Sequence, residues 1–238
     1  MSCGGFGVHS NIIFYLFAGI VIVGILVTTI GSRIRAKKRT QALQTAAQEL
    51  GFAFEGEGWS DPTRAPQLET ALFTRGRYRE FRNIMTGTTA GFKVGIFDYT
   101  FITRAGKSSH TWTQTVTAFT QELGLPLFEM RPESFMDRVG DAFVHQDIKF
   151  DSHPDFSRRY LLRGPDPEKI RELFSPALLT FCEGLAAKDK WHVEGCGASL
   201  IVYRSEATVD AAEVRSFLDE TSSIARNFIG CCGLRKSA

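Results

Sequence analysis

The feature of this sequence that most constrains its fold is an apolar run close to the N-terminus. Residues 12–30, IIFYLFAGIVIVGILVTTI, contain no charged side chain. As an α-helix this run would extend roughly 28 Å at about 1.5 Å per residue, which is close to the thickness of the hydrocarbon layer of a bilayer. No second uncharged run of this length follows. The sequence therefore predicts one transmembrane helix and a protein that crosses the lipid bilayer once.

A basic cluster directly after the apolar run predicts the orientation of that helix. The cluster consists of Arg33, Arg35, Lys37, Lys38 and Arg39. Lys and Arg close to a membrane span stay on the cytoplasmic side, so we expect residues 1–11 outside and the rest of the chain in the cytoplasm. A cleaved signal peptide would have a basic start and a shorter apolar core. The start MSCGGFGVHSN is uncharged, which favours an uncleaved anchor.

The rest of the chain has the composition of a globular domain with a slightly acidic balance. The full chain contains 28 basic and 26 acidic residues, and its first acidic residue is Glu49. Without the five basic residues of 33–39, 23 basic residues remain against 26 acidic ones, a net charge of −3. Nucleic-acid binding needs a basic surface. We therefore expect no nucleic-acid partner.

The apolar spacing predicts an α+β domain over residues 52–229, with a tail over 230–238. Residues 31–51 form the juxtamembrane segment, and apolar residues at helical spacing up to the predicted cap at Gly51 continue the helix of the anchor. β-branched and aromatic residues predict strands over 52–54, 78–86, 92–103, 110–120, 127–130, 147–150 and 156–163. In KVGIFDYTFI both faces are largely apolar, which indicates a central strand.

Predicted helices and one hairpin complete the domain. The helices cover residues 133–139, 165–174, 175–187 and 210–228, and the hairpin strands 191–194 and 199–204 turn at Gly195-Cys196-Gly197. A strand-rich stretch followed by helix, hairpin and helix predicts an α+β fold. We expect a mainly antiparallel sheet with packing helices.

No motif in the sequence specifies a reaction. Gly106-Lys107-Ser108 matches the end of a P-loop, but Phe101 stands where the first glycine is needed, and the flanking strands predict a hairpin loop. The five cysteines include no C-x-x-C pair, which indicates a reducing compartment with Cys182 and Cys196 as small buried residues. We therefore assign no catalytic residue and no cofactor.

The densest group of acid–base side chains consists of His145, Asp147, Asp151, His153 and Asp155. Carboxylate and imidazole groups together hold divalent metals or perform acid–base chemistry. The same residue types are ordinary turn formers, and their spacing matches no metal motif. These five residues are candidates, and no metal site is assigned from the sequence.

A second charged group consists of Arg75, Arg77, Arg79 and Arg82 beside Glu80. Arginines grouped in this way bind anionic partners or lipid headgroups. A solvated strand face explains the group equally well, because charged side chains on the exposed side of a strand need no partner. Both interpretations stay open at the level of sequence.

The order of these features resembles a group of uncharacterised bacterial single-span membrane proteins. The likeness rests on the uncharged start, the single span, the basic stop, and the segments ELGFAFEGEG and GFKVGIFDYTF. The resemblance implies a protein of the bacterial inner membrane, from a family with no assigned activity. It brings no catalytic residue to this sequence.

Three functions follow from these observations. The first is a non-enzymatic cytoplasmic domain at the membrane surface that binds a protein partner or senses the state of the membrane. The second is a membrane-anchored enzyme, metal-dependent or hydrolytic, that uses the 145–155 region. The third is a lipid-headgroup-binding domain. The lack of any catalytic motif favours the first.

Overall fold

A computed structural model divides the chain into two compact units, Met1–Ala42 and Leu43–Ala238. It describes residues 6–56, 70–89, 91–133, 147–186 and 190–233. The helix predicted over 133–139 falls outside this part of the chain except for its first residue. His145 and the end of the predicted tail also lie outside the described residues.

The described residues of the first unit all belong to one long helix, α1, Phe6–Leu50. Its exposed large apolar side chains are Tyr15, Phe17, Ile20, Val21, Ile22, Val23, Val27, Ile30 and Ile34. Over the part of the chain that the structure describes, no helix has both the length and the apolar character of a membrane span. The transmembrane assignment of residues 12–30 stays a prediction.

The last two turns of α1 belong to the second unit. Leu43, Ala46 and Ala47 are buried there among the core residues. Gly51 follows with a φ of +72°, a left-handed conformation that ends helices and that glycine adopts without steric cost. The continuous helix and its glycine cap confirm the prediction for this segment.

The second unit is built on an antiparallel sheet, which confirms the predicted α+β class. Its described strands are β1 Ala53–Glu55, β2 Arg77–Thr89, β3 Phe92–Ala105, β4 Ser108–Pro132, β5 Tyr160–Arg163 and β6 Trp191–Arg204. The strands follow the order β1-β2-β3-β4-β5, and β6 also pairs with β4. β3 lies between β2 and β4, as its two apolar faces predict.

Strands β4 and β6 are longer than predicted, because each continues through a bend. The sequence predicts a hairpin turn at residues 195–197, but β6 pairs with β4 on both sides of it, from Tyr203 opposite Val116 to Val193 opposite Met130. The rings of His192 and Tyr203 nevertheless lie 4.7 Å apart. In a straight strand, residues eleven positions apart would be roughly 36 Å apart. The strands therefore fold back on themselves, and the sheet encloses a concave face.

Helices cover the convex face of the sheet. They are α3 Pro154–Arg159, α4 Pro167–Leu173, α5 Pro176–Ala186 and α6 Val214–Gly233. Two start where the sequence predicts: Asp166 accepts a hydrogen bond from the backbone N of Lys169 (3.1 Å), and Ser175 accepts one from that of Leu178 (3.4 Å). Each of these N-caps is followed by a proline in the first turn, a position that proline favours.

The core of the convex side is apolar and centred on Phe128. The ring of Phe128 lies 5.4 Å from that of Phe174 and 5.8 Å from that of Phe228. Phe128 also lies opposite Gly195 of β6, where a Cβ atom would come within 2.3 Å of the ring. The glycine that the sequence assigns to a turn is thus a strand residue whose missing side chain leaves room for Phe128.

Three further predictions are corrected in this unit. Residues 147–150 form no strand, and residues 156–159 belong to α3, so that only Tyr160–Arg163 is a strand. Pro154 and Asp155 in the first turn favour the helix, since proline lacks the amide that a first turn leaves unpaired and the carboxylate complements the helix dipole. Cys182 is buried as expected, whereas Cys196 is only half-buried.

Candidate functional site

A short helix covers the middle of the concave face. This helix, α2, spans Ala71–Thr74. Its Phe73 ring lies 4.8 Å from the ring of Tyr99 and 5.6 Å from that of Phe81. The buried apolar residues of this face are Leu72, Phe73, Ile84, Phe97, Tyr99, Phe101, Trp112, Val116, Ala118, Ile201 and Tyr203. They form a second core, separate from the one under the convex-side helices.

Beside this second core lies a buried network of ionisable side chains. Its members are Arg75, Glu129, Arg131, His192, Glu194 and Tyr203. Glu129 and Glu194 stand opposite each other on β4 and β6, an arrangement that would be unfavourable without compensating charges. Arg75 forms an ion pair and hydrogen bond with Glu129, and the Nε of Arg131 lies 3.4 Å from the same carboxylate. The charges of the network therefore balance.

Glu194 joins the network to α2. One of its oxygens accepts a hydrogen bond from the backbone N of Leu72 (2.9 Å), and the other accepts one from the hydroxyl of Tyr203 (2.7 Å). Burial raises the pKa of Glu194, and the nearby Glu129 raises it further. Burial also raises the pKa of Tyr203, with Glu194 adding to the effect. These contacts hold α2 against the sheet.

His192 is kept neutral by its surroundings. Burial lowers the pKa of His192 well below its ordinary value, and the positive charges of Arg75 and Arg131 lower it further. For Arg75, burial alone would lower the pKa, but Glu129, Tyr203 and Glu194 outweigh it, so that the pKa is raised. At neutral pH the network thus contains charged arginines and an uncharged imidazole.

Of the members of this network, only Arg75 belongs to a group of residues that the sequence indicates as a candidate site. The other members come from segments such as LFEMR and WHVEG, in which charged residues alternate with apolar ones inside predicted strands. Such alternation is the usual pattern of a strand with one solvated face. Nothing local distinguishes a solvated Glu from a buried one, because the partners are 54 and 122 residues away in the chain.

A groove lies on the concave face beyond the aromatic core. Its floor is a row of small residues across three strands, in which Thr86 pairs with Gly95 and Gly95 pairs with Ala118. Ile84 and Phe97 form its inner end, and Lys93 lies at the outer rim with Thr88 and Thr120. The groove has a volume of about 460 Å³. Its size and mainly apolar lining with few polar groups are typical of small-molecule sites.

Gly95 leaves most of this space open. A Cβ atom built on it would have no heavy atom nearer than 3.9 Å, and that neighbour is the ring of Phe97. A larger side chain at this position therefore has room to extend over the floor of the groove. The sequence contains a partial signal for this site, since GFKVGIFDYTF places a glycine between apolar residues of a central strand.

Of the candidate metal or acid–base residues between 147 and 155, Asp147, His153 and Asp155 have separate partners in the structure. Asp147 accepts a hydrogen bond from the backbone N of Leu162 (3.1 Å), and its other oxygen lies 3.7 Å from the Nζ of Lys149. His153 lies 3.3 Å from Glu183, and Asp155 pairs with Arg158 at 2.6 Å. Asp151 lines a polar surface hollow together with Asp147. Within the described ranges, no three His, Cys, Asp or Glu residues come together as a metal site.

Most side chains of the two basic clusters found in the sequence are exposed on the surface. Of the cluster at 33–39 on α1, Arg39 is half-buried and the other four side chains are exposed. Arg77, Arg79 and Arg82 are exposed on β2, whereas Arg75 belongs to the buried network. The solvated strand face therefore describes three of the four arginines near Glu80.

The fold defines an α+β domain with a bent antiparallel sheet, and comparisons with known proteins add one relationship. No protein-family model matches the chain, and no curated protein matches it. The crystal structure of the mycobacterial trehalose monomycolate transport factor A, TtfA, has a similar fold, with a TM-score of 0.55 and 14% sequence identity. The match covers 81% of this chain and 93% of that chain. At this identity the likeness shows the fold alone.

Proposed function

We propose that this protein is a membrane-anchored binding protein whose domain holds the apolar part of a lipid in the groove of β2, β3 and β4. The observation that carries the proposal is the groove itself. It lies across strands β2, β3 and β4 beside the aromatic core of the concave face, and small residues keep it open. A site of this kind suits a ligand without many polar groups.

Two further observations support a lipid as the ligand. The structure of similar fold belongs to a protein named as a transport factor for trehalose monomycolate. The N-terminal residues 12–30 are uncharged, and many of their large apolar side chains are exposed on α1. Exposed apolar surface of this extent marks a membrane or protein contact. The anchor would then keep the domain close to its ligand.

The topology completes the proposal. Residues 12–30 cross the bacterial inner membrane once, with residues 1–11 outside and the domain in the cytoplasm, because Arg33 to Arg39 are retained on the inner side. A protein partner at the membrane surface is compatible with this arrangement, and it would receive or deliver the lipid.

Photo-crosslinking tests the groove. The full chain is reconstituted into vesicles that contain a phospholipid with a photoreactive diazirine on its acyl chain, and crosslinked peptides are identified by mass spectrometry. We expect crosslinks in residues 84–97 and 118–120 in addition to residues 12–30. The variant Gly95→Phe should lose the groove crosslinks, because the added ring occupies the floor.

Matched variants distinguish a blocked groove from an unfolded domain. Gly95→Ala adds one methyl group and should retain most of the groove crosslinks, whereas Gly184→Phe adds the same ring on α5, where a Cβ meets open space. Crosslinks to residues 12–30 serve as an internal standard in every sample. Groove crosslinks that persist in Gly95→Phe, or crosslinks confined to residues 12–30, would show that the groove does not hold lipid.

Extraction and labelling test the anchor. We expect the full chain to stay in the membrane fraction at alkaline pH, and the double variant Ile20→Lys, Val23→Lys to be released, since each Lys at the centre of a span costs about 3 kcal/mol. A membrane-impermeant maleimide should label Cys3 in intact bacteria. Labelling of Cys3 only after lysis would reverse the proposed orientation.

A further inference from the structure

A second hollow lies at the end of strands β2 and β3, away from the groove. It has a volume of about 430 Å³, and Arg75, Arg77, Tyr78, Thr103 and Arg104 are among its lining residues. We call it the arginine cleft. Its walls come from the turn that follows α2 and from the last residues of β3, so that residues far apart in the chain converge on it.

The charge of the cleft is unbalanced. Arg77 and Arg104 are exposed, and within the described residues no carboxylate forms an ion pair with either. Arg82, further along β2, differs in this respect because it pairs with Glu80 at 2.7 Å. From residue 40 onward the chain carries 23 basic and 26 acidic residues. Two unmatched guanidinium groups in one hollow thus stand out in a net-acidic domain.

Arg75 adds a buried donor to the same hollow. Its side chain is 4% exposed and pairs with Glu129 through one terminal nitrogen. Its Nε is also buried, and no hydrogen-bond acceptor lies within reach of that atom in the described part of the chain. A buried N–H without an acceptor is costly and is usually satisfied by water or by a ligand.

The backbone around the cleft is held in an uncommon conformation. Gly76 has a φ of +62°, and Tyr78 has a φ of +53° inside a bulge of β2. Arg79 fixes this turn, because its guanidinium donates hydrogen bonds to the carbonyl oxygens of Thr74 (2.6 Å) and Arg75 (3.1 Å). A left-handed tyrosine is strained, and strain of this kind concentrates at binding sites.

The strained conformation presents the ring of Tyr78 to the exterior. The residue is 73% exposed, whereas the aromatic residues of the concave face are buried or half-buried. Tyrosine has an apolar ring and a polar hydroxyl, a combination that is enriched where proteins meet the headgroup region of a membrane. An exposed tyrosine next to unmatched arginines therefore points to an anionic membrane surface.

We propose that the arginine cleft binds the phosphate of an anionic phospholipid headgroup at the membrane surface. Arg77 and Arg104 donate hydrogen bonds to the phosphate oxygens, which their planar guanidinium groups match in geometry. Tyr78 enters the headgroup layer beside them. The choice of a phospholipid as the source of the phosphate rests on the lipid role proposed above. The binding of an anion by the arginines of the cleft does not depend on that role.

Hydrogen–deuterium exchange of the full chain in lipid nanodiscs tests this site. One set of discs contains phosphatidylcholine alone, and the other contains phosphatidylcholine with phosphatidylglycerol. We expect exchange in residues 75–80 and 102–107 to slow severalfold in the anionic discs. The double variant Arg77→Gln, Arg104→Gln should lose this protection, and Tyr78→Asn, which tolerates the left-handed backbone, should weaken it.

The control removes two positive charges elsewhere. Arg158→Gln with Arg226→Gln changes the net charge equally and should retain the protection, since both arginines are exposed outside the cleft. Equal exchange in both kinds of disc, or protection that survives Arg77→Gln, Arg104→Gln, would overturn the proposal. If inorganic phosphate protects the cleft in neutral discs and phosphatidylglycerol does not, the membrane is not the source of the anion. If the groove does not hold lipid, the groove crosslinks are absent. The exchange measurement does not use those crosslinks, so the two proposals are tested separately.

Discussion

The two faces of the bent sheet differ in side-chain composition, although the same strands contribute side chains to both. In β4, Phe128 and Met130 face the helix-covered convex side, while Glu129 and Arg131 face the concave side. The convex core is mainly apolar, with a few buried polar groups such as the hydroxyls of Thr117 and Thr221, and the concave side combines an aromatic core, a charged network and an open groove. The convex face stabilises the domain through its apolar core, and the concave face carries the groove for which lipid binding is proposed.

The difference has an energetic reason. Apolar side chains tolerate many partners of similar volume, so a helix-covered apolar face is robust to small changes. Buried charges are stable only in one arrangement, because each needs a specific partner at hydrogen-bond distance. The network around Glu129 therefore determines where α2 lies, and with it the position of Arg75 and of the turn that forms the arginine cleft.

Neighbouring substitutions in β4 compare the two faces most directly. Glu129→Gln should lower the free energy of unfolding by about 3–5 kcal/mol, because it leaves Arg75 and Arg131 without their shared charge. Phe128→Leu should cost only about 1–2 kcal/mol, since apolar contacts are largely kept. Urea unfolding of the full chain in neutral detergent, followed by tryptophan fluorescence, measures both values.

An exposed ion pair supplies the control for this comparison. Glu80→Gln breaks the ion pair between Glu80, whose side chain is 46% exposed, and Arg82, whose side chain is 58% exposed. It should change the free energy of unfolding by less than about 1 kcal/mol. If Glu129→Gln behaves like Glu80→Gln, the concave network contributes nothing beyond a surface pair, and the contrast between the faces disappears.

A glycine pair tests how tightly the convex side is packed. Gly195→Ala should cost about 1–3 kcal/mol, because its Cβ would collide with the ring of Phe128. Gly184→Ala should be neutral or stabilising by up to about 1 kcal/mol, because it lies in a helix with open space at that position. Thermal unfolding of both variants measures the difference, and equal melting temperatures would mean that Phe128 does not lie over Gly195.

The smallest expected effect is a pH dependence that comes from His192. Its pKa is lowered in the folded state, so the unfolded chain binds more protons below pH of about 6.5, and stability should fall as the pH decreases through that value. The raised pKa of Glu194 acts in the opposite direction, since that group holds a proton more strongly when folded. Comparison with a variant is therefore needed.

His192→Phe keeps a ring beside Tyr203 and removes the titrating group. Between about pH 5 and 6.5 its free energy of unfolding should fall less steeply than that of the wild-type chain. Identical slopes for the two proteins would show that His192 is not held neutral inside the domain.

Several elements of the fold were predictable because their causes are local. The starts of α4 and α5 depend on Asp166, Ser175 and the prolines that follow, and the end of α1 depends on Gly51. The central position of β3 follows from apolar residues on both of its faces. Where a competing local cause acts, as Pro154 and Asp155 do directly before the segment 156–163 that is predicted as a strand, the prediction was wrong.

The sequence by itself determined the uncharged run with its basic neighbour, the α+β class and most helix and strand positions, since these depend on residues within a few positions of one another. Only the tertiary structure decided the bends of β4 and β6, the partners of Glu129 and Glu194, and the row of small residues at Thr86, Gly95 and Ala118. The reason is register: which side chains meet across a sheet depends on pairing between distant segments, and a shift of one residue would reverse every face.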